Sequence, residues 1–246
     1  MITHPALARR RHGFFSRQGG VSEGGFASLN CSDRSDDEPM RVSENRGLAA
    51  EALGYRPEAL MAVHQVHGTA VAVLDAPWST RPVADALVTA RPGLLLGIVT
   101  ADCAPVLFAG SGGEDGVIGA AHAGWRGAVA GVLEATLDAM RALGARDIVA
   151  VVGPCIAQAS YEVGADLRDA VLARDPADGA FFTAGLAGHW HFDLPGYCLA
   201  RLAAAGAAGH ATGDDTLGDP ARFFSHRRRT LGREGPIGHQ LSAIGL

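Results

Sequence analysis

Three residues of this chain combine types and settings that suit chemistry. They are His67 in the stretch His64-Gln65-Val66-His67-Gly68, Cys103 in Thr100-Ala101-Asp102-Cys103, and His122 in His122-Ala123-Gly124-Trp125-Arg126-Gly127. Zinc takes two imidazoles and one thiolate readily, and three protein ligands leave a fourth position open for water. The intervals, 67 to 103 and 103 to 122, follow no short metal-binding pattern, so spacing does not decide the matter. The same side chains admit a second chemistry, with Cys103 as nucleophile and His122 as its base. A third arrangement is a buried thiol with two histidines that only support the fold.

These residues need elements to bring them together. The apolar run Leu94 to Val99 reads as one buried strand that ends in the polar Thr100-Ala101-Asp102-Cys103. A second run, Pro105 to Ala109, and a third, Val117 to Ala121, flank the turn signal Ser111-Gly112-Gly113-Glu114-Asp115-Gly116. A hairpin between them returns His122 to the end that carries Cys103. His67 lies between two strand-like stretches, Leu60 to Val63 and Ala70 to Leu74, beside Gly68. Ala84 to Thr89 is a further short strand.

After Trp125 the apolar positions Val129, Val132, Leu133, Leu137 and Met140 predict one amphipathic helix ending near Gly144. Its start, Gly124 to Gly127, would set N–H groups and positive dipole beside His122, a setting for an anion. Residues 12 to 30 form a short strand followed by a glycine-rich loop in which Arg17, Ser28 and Asn30 are spaced polar groups. Such a loop is either an oxyanion cradle or ordinary surface. A helix is expected after Pro39, with Gly54 as its stop and Arg46 on it. Ile148 to Val152 reads as a strand, and Leu167 to Ala173 and Leu194 to Ala205 as helices, the second capped by Asp193. Cys155 and Cys198 read as core thiols, and Phe181, Phe182, Trp190 and Phe192 as core or pocket aromatics. The run Arg222-Phe223-Phe224-Ser225-His226-Arg227-Arg228-Arg229 either places an arginine at a pocket rim or forms a solvated face.

Composition narrows the function classes. The 246 residues are 48% hydrophobic with a formal net charge of -5, which suits a sizeable core and disfavours nucleic acid or an anionic membrane as partner. There is no lysine; all 21 basic residues are arginine. Schiff-base catalysis on lysine and a phosphate loop with its lysine are therefore excluded. Phosphate must be handled by arginine, hydroxyls or backbone N–H groups. No apolar run reaches the roughly 18 residues of a spanning helix. Residues Met1 to Arg11 lack the apolar region of a signal peptide. Four dispersed cysteines without a CxxC pair fit reduced thiols and a cytoplasmic location. No repeat or long linker divides the chain, so one domain spanning 1–246 is expected.

Several motifs appear in order: HGFFSRQGGVSEGGFASLN from His12, ENR at 44–46, QVHG at 65–68, TADCAPVLF at 100–108, AHAGWRG at 121–127, GPCI at 153–156, YEV at 161–163 and RFFSHRR at 222–228. Together they resemble the YfiH family, also called the laccase-domain or polyphenol oxidase family, over nearly the whole chain. The resemblance implies an α/β (α+β) domain of mixed β-sheets flanked by helices. It implies that His67, Cys103 and His122 bind zinc, with copper as the alternative metal. It also implies phosphorolysis of purine nucleosides (adenosine, inosine, guanosine, methylthioadenosine) and deamination of adenosine. Older naming implies a copper-dependent oxidase of phenols. Zinc lowers the pKa of a bound water towards about 7, which suits attack at C6 of adenine, with Asp102 as candidate proton shuttle. A phosphate dianion would be clamped by Arg46 first, helped by Ser28 and Asn30, with Arg126 second. A cysteine hydrolase using Cys103 and His122, and a closed structural zinc module, are the rival readings. The chain departs from the family pattern at CSDRSDD, residues 31–37, and in the tail from Arg229 on.

Overall fold

A computed structural model describes residues 1–78 and 80–246. The strands, in chain order, are β1 (Arg11–Phe14), β2 (Leu60–Ala62), β3 (Val71–Leu74), β4 (Ala86–Thr89), β5 (Leu95–Thr100), β6 (Ala104–Ser111) and β7 (Val117–Ala123). They continue with β8 (Arg146–Val152), β9 (Glu162–Val163), β10 (Phe182–Ala184), β11 (Trp190–Phe192), β12 (Ala208–Ala211) and β13 (Gln240–Gly245). The helices are α1 (Pro39–Ala52), α2 (Trp125–Ala130), α3 (Val132–Ala142), α4 (Ala165–Arg174), α5 (Leu194–Ala204) and α6 (His226–Gly232).

Two larger sheets and one small one result. The first has four strands in the order β1-β13-β5-β2, the second six in the order β12-β8-β6-β7-β4-β3, and β10-β11-β9 form the third. Both larger sheets are mixed: β2 runs parallel to β5 while β13 is antiparallel to it, and β3 runs parallel to β4 while β7 is antiparallel to it. Side chains that alternate along the central strands separate the layers. Val106 and Phe108 of β6 join the core built with α3 and α5, whereas Leu107 points the other way. There it meets Leu96 and Ile98 of β5 and Ile244 of β13, so the two sheets pack face to face. Leu95, Leu241 and Ala243 use the remaining face of the four-stranded sheet to bury Ala49 and Ala50 of α1 and Leu53 just after it. The result is a helix layer, two sheets and a second helix layer, which is the mixed-sheet α/β architecture expected.

The predicted hairpin is present, with Ala104 paired to Ala123 and Pro105 to His122. The single helix expected after Trp125 is instead two. Gly131 adopts φ +104° and serves both as the end of α2 and the start of α3. That left-handed backbone is cheap only for glycine, and it breaks the helix inside an apolar pattern that continues across it. Asp193 caps α5 as expected, accepting from Gly196 N at 2.9 Å. Gly54, at φ +77°, ends the turn after α1. No helix among the described residues is long and apolar enough to cross a membrane.

Candidate metal centre

Two crossovers between the sheets meet at one end of the packed layers. Residues 63–70 carry the chain from β2 in the four-stranded sheet to β3 in the six-stranded one, and residues 101–103 carry it from β5 to β6. His67 lies on the first crossover, Cys103 on the second, and His122 near the end of β7 beside them. The ligating atoms of the three all lie within 4.8 Å of one another, and Cys103 Sγ is 3.8 Å from His67 Nε2. Bonds of about 2.0–2.3 Å in tetrahedral directions place ligand atoms roughly 3.3–3.8 Å apart, so a small inward adjustment completes the set. Two imidazole nitrogens and a thiolate suit zinc, and copper as well.

One buried carboxylate organises the group. Asp85, just before β4, accepts from Val66 N at 3.1 Å, His67 N at 2.9 Å and Gly68 N at 2.6 Å. It also meets His122 Nδ1 at 2.8 Å, while its backbone carbonyl accepts from His122 N at 2.7 Å. Nδ1 is thereby engaged, which leaves Nε2 of His122 to face the metal position. The same carboxylate stabilises the turn that holds His67 at φ +62°. Gln65 fastens that turn to β5 by donating to Val99 O at 2.9 Å and accepting from Val99 N at 3.0 Å.

The charges reinforce one another. Burial works against a Cys103 thiolate, but the imidazoles of His122 and His67 outweigh it and bring the thiol well below its ordinary range. Burial likewise works against a charged His122, and the Cys103 thiolate and Asp85 outweigh it, raising the imidazole. For Asp85 burial is the largest influence and acts upward; the bond from His122 and the Gly68 and Val66 amides together overcome it and lower the carboxyl. A cation entering here displaces the His122 proton, so its affinity falls as pH falls.

The backbone of Gly124 closes over the group. A Cβ there would stand 2.8 Å from His67 Cδ2 and 3.0 Å from Cys103 Sγ. Gly124→Ala is therefore expected to lower zinc affinity about tenfold while every ligand remains, as displaced ligand geometry does elsewhere. Competition against a chromophoric chelator checks this, and wild-type affinity in the variant would refute the close approach.

Residues 11–246 match the family described as multi-copper polyphenol oxidoreductase laccase. The chain belongs to this family, the YfiH family. It is 43% identical over 247 residues to a purine nucleoside phosphorylase of Deinococcus radiodurans, covering 96% of this chain and 88% of that relative. It is also 43% identical over 226 residues to purine nucleoside phosphorylase PA4543 of Pseudomonas aeruginosa, covering 91% of this chain and 90% of that relative. Among solved structures, the Bacillus licheniformis hypothetical protein YfiH superposes with a TM-score of 0.89 at 28% identity, covering 98% of this chain and 94% of that one. YlmD from Geobacillus stearothermophilus gives 0.89 at 29% identity, with 98% and 93% covered.

In this YfiH-family chain the triad opens on a cavity of about 550 Å³. Arg34, Trp125, Arg126, Tyr161, Arg227 and His239 are among its walls. Arg126 stacks its guanidinium 4.3 Å from the Trp125 ring centroid, and Arg227 lies 5.3 Å from that of Tyr161. Arg227 comes from the basic run after Ser225, so that run does supply a rim arginine. Arg34, Arg126 and Arg227 have no carboxylate partner among the described residues.

Three expected site residues lie elsewhere. Ser28 donates to Arg17 O at 3.0 Å and accepts from Gly20 N at 3.1 Å, so it braces its own loop. Buried Asn30 accepts from Ser32 N and His239 N and donates to Ser35 Oγ and Asp37. Arg46 donates to Cys31 O at 3.1 Å and lines a separate cavity of about 330 Å³ beside α1, where residues 31–37 stand between it and the triad. Short polar side chains in a glycine-rich loop are consumed by the loop's own backbone groups. At the helix start expected to receive an anion, α2 has only 6 residues and so a small dipole.

Asp102 is brought beside Cys103 on the wall of the same cavity, with its carboxylate engaged by groups of the fold. At φ +93° it turns the corner between the sheets, and its buried carboxylate accepts from Thr216 Oγ1 at 2.6 Å, Ser225 Oγ at 3.0 Å and Arg227 N at 2.6 Å. Cys155 and Cys198 are buried core thiols, as expected. Asp85, Gln65, Arg34 and His239 were not singled out by their sequence setting. For Asp85 a signal exists: it is the one charged residue within the apolar stretch from Val83 to Val88.

Proposed function

We propose that the cavity binds a purine nucleoside together with inorganic phosphate and cleaves the N-glycosidic bond. A phosphate oxygen bonds to C1′, the bond from C1′ to the purine breaks, and the base leaves with a proton, giving ribose 1-phosphate. The observation that carries this reading is a metal-suited triad facing a cavity with aromatic walls and three guanidiniums that lack carboxylate partners. Trp125 and Tyr161 bring aromatic surface to the cavity wall for a purine, each with a guanidinium over one ring face, Arg126 at 4.3 Å and Arg227 at 5.3 Å. Arg126 and Arg227, with Arg34, supply fork-shaped donors for a dianion in a chain whose overall charge is negative. The names of the curated relatives support the same chemistry.

In this reading His67, Cys103 and His122 hold zinc, with copper as the alternative. When bound, zinc supplies Lewis acidity and lowers the pKa of water at its open position towards about 7. Adenosine, inosine, guanosine and methylthioadenosine form the substrate range. Hydrolytic deamination of adenosine, with water consumed and ammonia released, belongs to the same centre. Asp85 fixes the His122 tautomer and the His67 turn, and Asp102 holds the segment that brings Arg227 to the wall. A multicopper oxidase needs several ligand groups, whereas one His/Cys/carboxylate group of three or more occurs among the described residues. The protein is expected in the cytoplasm.

The test is metal analysis of the purified protein with nucleoside turnover measured with and without phosphate. Release of adenine or hypoxanthine that requires phosphate supports phosphorolysis; no purine product under either condition refutes it. Arg126→Ala is expected to raise the phosphate KM about tenfold or more, the worth of one charge-assisted hydrogen bond. Initial rates at varied phosphate check this, and an unchanged phosphate KM removes Arg126 from the clamp.

A further inference from the structure

We infer that His239 is a specificity-determining contact to the nucleoside, donating one neutral hydrogen bond from Nε2 into the cavity. The inference rests on the nucleoside reading of the cavity and adds a residue outside every motif that carries the family resemblance. His239 lines the cavity wall, immediately before β13. Its backbone is pinned on both sides: its N–H donates to Asn30 Oδ1 at 3.0 Å and its carbonyl accepts from Cys31 N at 3.0 Å. Asn30 therefore acts through His239, not on the substrate directly.

The ring's chemistry follows from its two nitrogens. Nδ1 is sealed from solvent and has no hydrogen-bond partner among the described residues. Orphaned buried N–H groups are rarer than buried acceptors without a partner, so the proton is assigned to Nε2. Nε2 is not among the sealed, unpartnered atoms, and the residue faces the cavity, so the N–H opens there. Burial, with His226 and His122 adding to it, holds this imidazole down to about 4, and the ring is neutral at ordinary pH. A neutral donor adds no attraction for a dianion, which the guanidiniums without carboxylate partners already serve. It suits an uncharged acceptor on the nucleoside, beside the apolar walls Val63, Ile156 and Leu194.

The test compares His239→Phe and His239→Leu, which lack a donor, with His239→Gln, which keeps one, in zinc-loaded protein. Inosine binding is measured by calorimetry, and inosine and phosphate KM by initial rates, for each variant that retains the wild-type unfolding transition. Loss of the donor is expected to weaken inosine binding and raise its KM about tenfold, with phosphate KM within twofold and His239→Gln recovering most of the loss. Inosine binding within twofold of wild type in a folded donor-less variant overturns the inference, as does a shift in phosphate KM alone. If wild type binds inosine but does not cleave it, the phosphorolysis reading fails and the His239 comparison still stands on calorimetry. If wild type does not bind inosine, both fall.

Discussion

Asp85→Ala is expected to lower zinc affinity by about 100-fold and to destabilise the protein by several kcal/mol even in the presence of a chelator. Both effects come from the same two oxygens. One consequence concerns the metal: without the carboxylate, His122 Nδ1 loses its partner, and the ring is free to change tautomer and orientation. Outer partners of metal-bound histidines are worth about 10- to 100-fold in affinity. The other concerns the chain. Val66, His67 and Gly68 would lose the acceptor that holds their three amides, in a turn where His67 already adopts positive φ. A fully buried donor left unpaired costs about 1–3 kcal/mol, and these three part-buried amides fall towards the lower end of that range. Asp85→Asn is the sharper variant, because its amide retains one acceptor oxygen and places an NH2 against donors. Chelator competition measures the affinity, and urea unfolding with EDTA measures the metal-independent part. Wild-type values for both in Asp85→Ala would show that the hydrogen bonds at Asp85 contribute nothing.

Asp102→Ala is expected to destabilise the chain by about 2–4 kcal/mol and to raise the phosphate KM, because it unfastens the segment that carries Arg227. Thr216, Ser225 and the Arg227 amide all donate to this carboxylate, and its backbone carbonyl accepts from Ile156 N at 2.9 Å. Arg227 also reaches Glu162 O at 2.6 Å, which fixes its direction once its backbone is held. A carboxylate with these three donors is a clamp, and its oxygens are occupied by groups other than substrate. The proton-shuttle role makes a different forecast. Asp102→Asn with an unchanged unfolding midpoint and one limb missing from the pH profile of kcat would restore that role. A lowered midpoint with both limbs present would establish the clamp.

The legible parts of this protein share one property: their cause is local. The β6–β7 hairpin follows from two apolar runs on either side of a glycine-rich turn, and it alone returns His122 to Cys103. Helix α1 follows from Pro39 at its first position, and α5 from the Asp193 cap. The break at Gly131 leaves no mark in the apolar pattern because Val129, Val132 and Leu133 keep their periodicity across it; the pattern records burial, while φ records geometry. Ser28, Asn30 and Arg46 show the opposite case. Their residue types suit phosphate, yet the nearest backbone groups of the 17–37 region had first claim on them. Asp85 and His239 were hidden because a lone carboxylate and a lone histidine have no local pattern.

The sequence by itself determined the types of candidate ligand available, the absence of lysine chemistry, the hairpin that joins two of the three candidate ligands and the family to which the chain belongs. Tertiary structure decided that His67 joins the candidate set, since its crossover is held by Asp85, just before β4, and by Val99 of β5. It also decided which guanidiniums reach the cavity: Arg34, Arg126 and Arg227 do, and Arg46 does not. The physical reason is that side-chain convergence depends on long-range strand pairing and on which buried acceptor claims each donor. Neither is encoded in the spacing of residues along the chain.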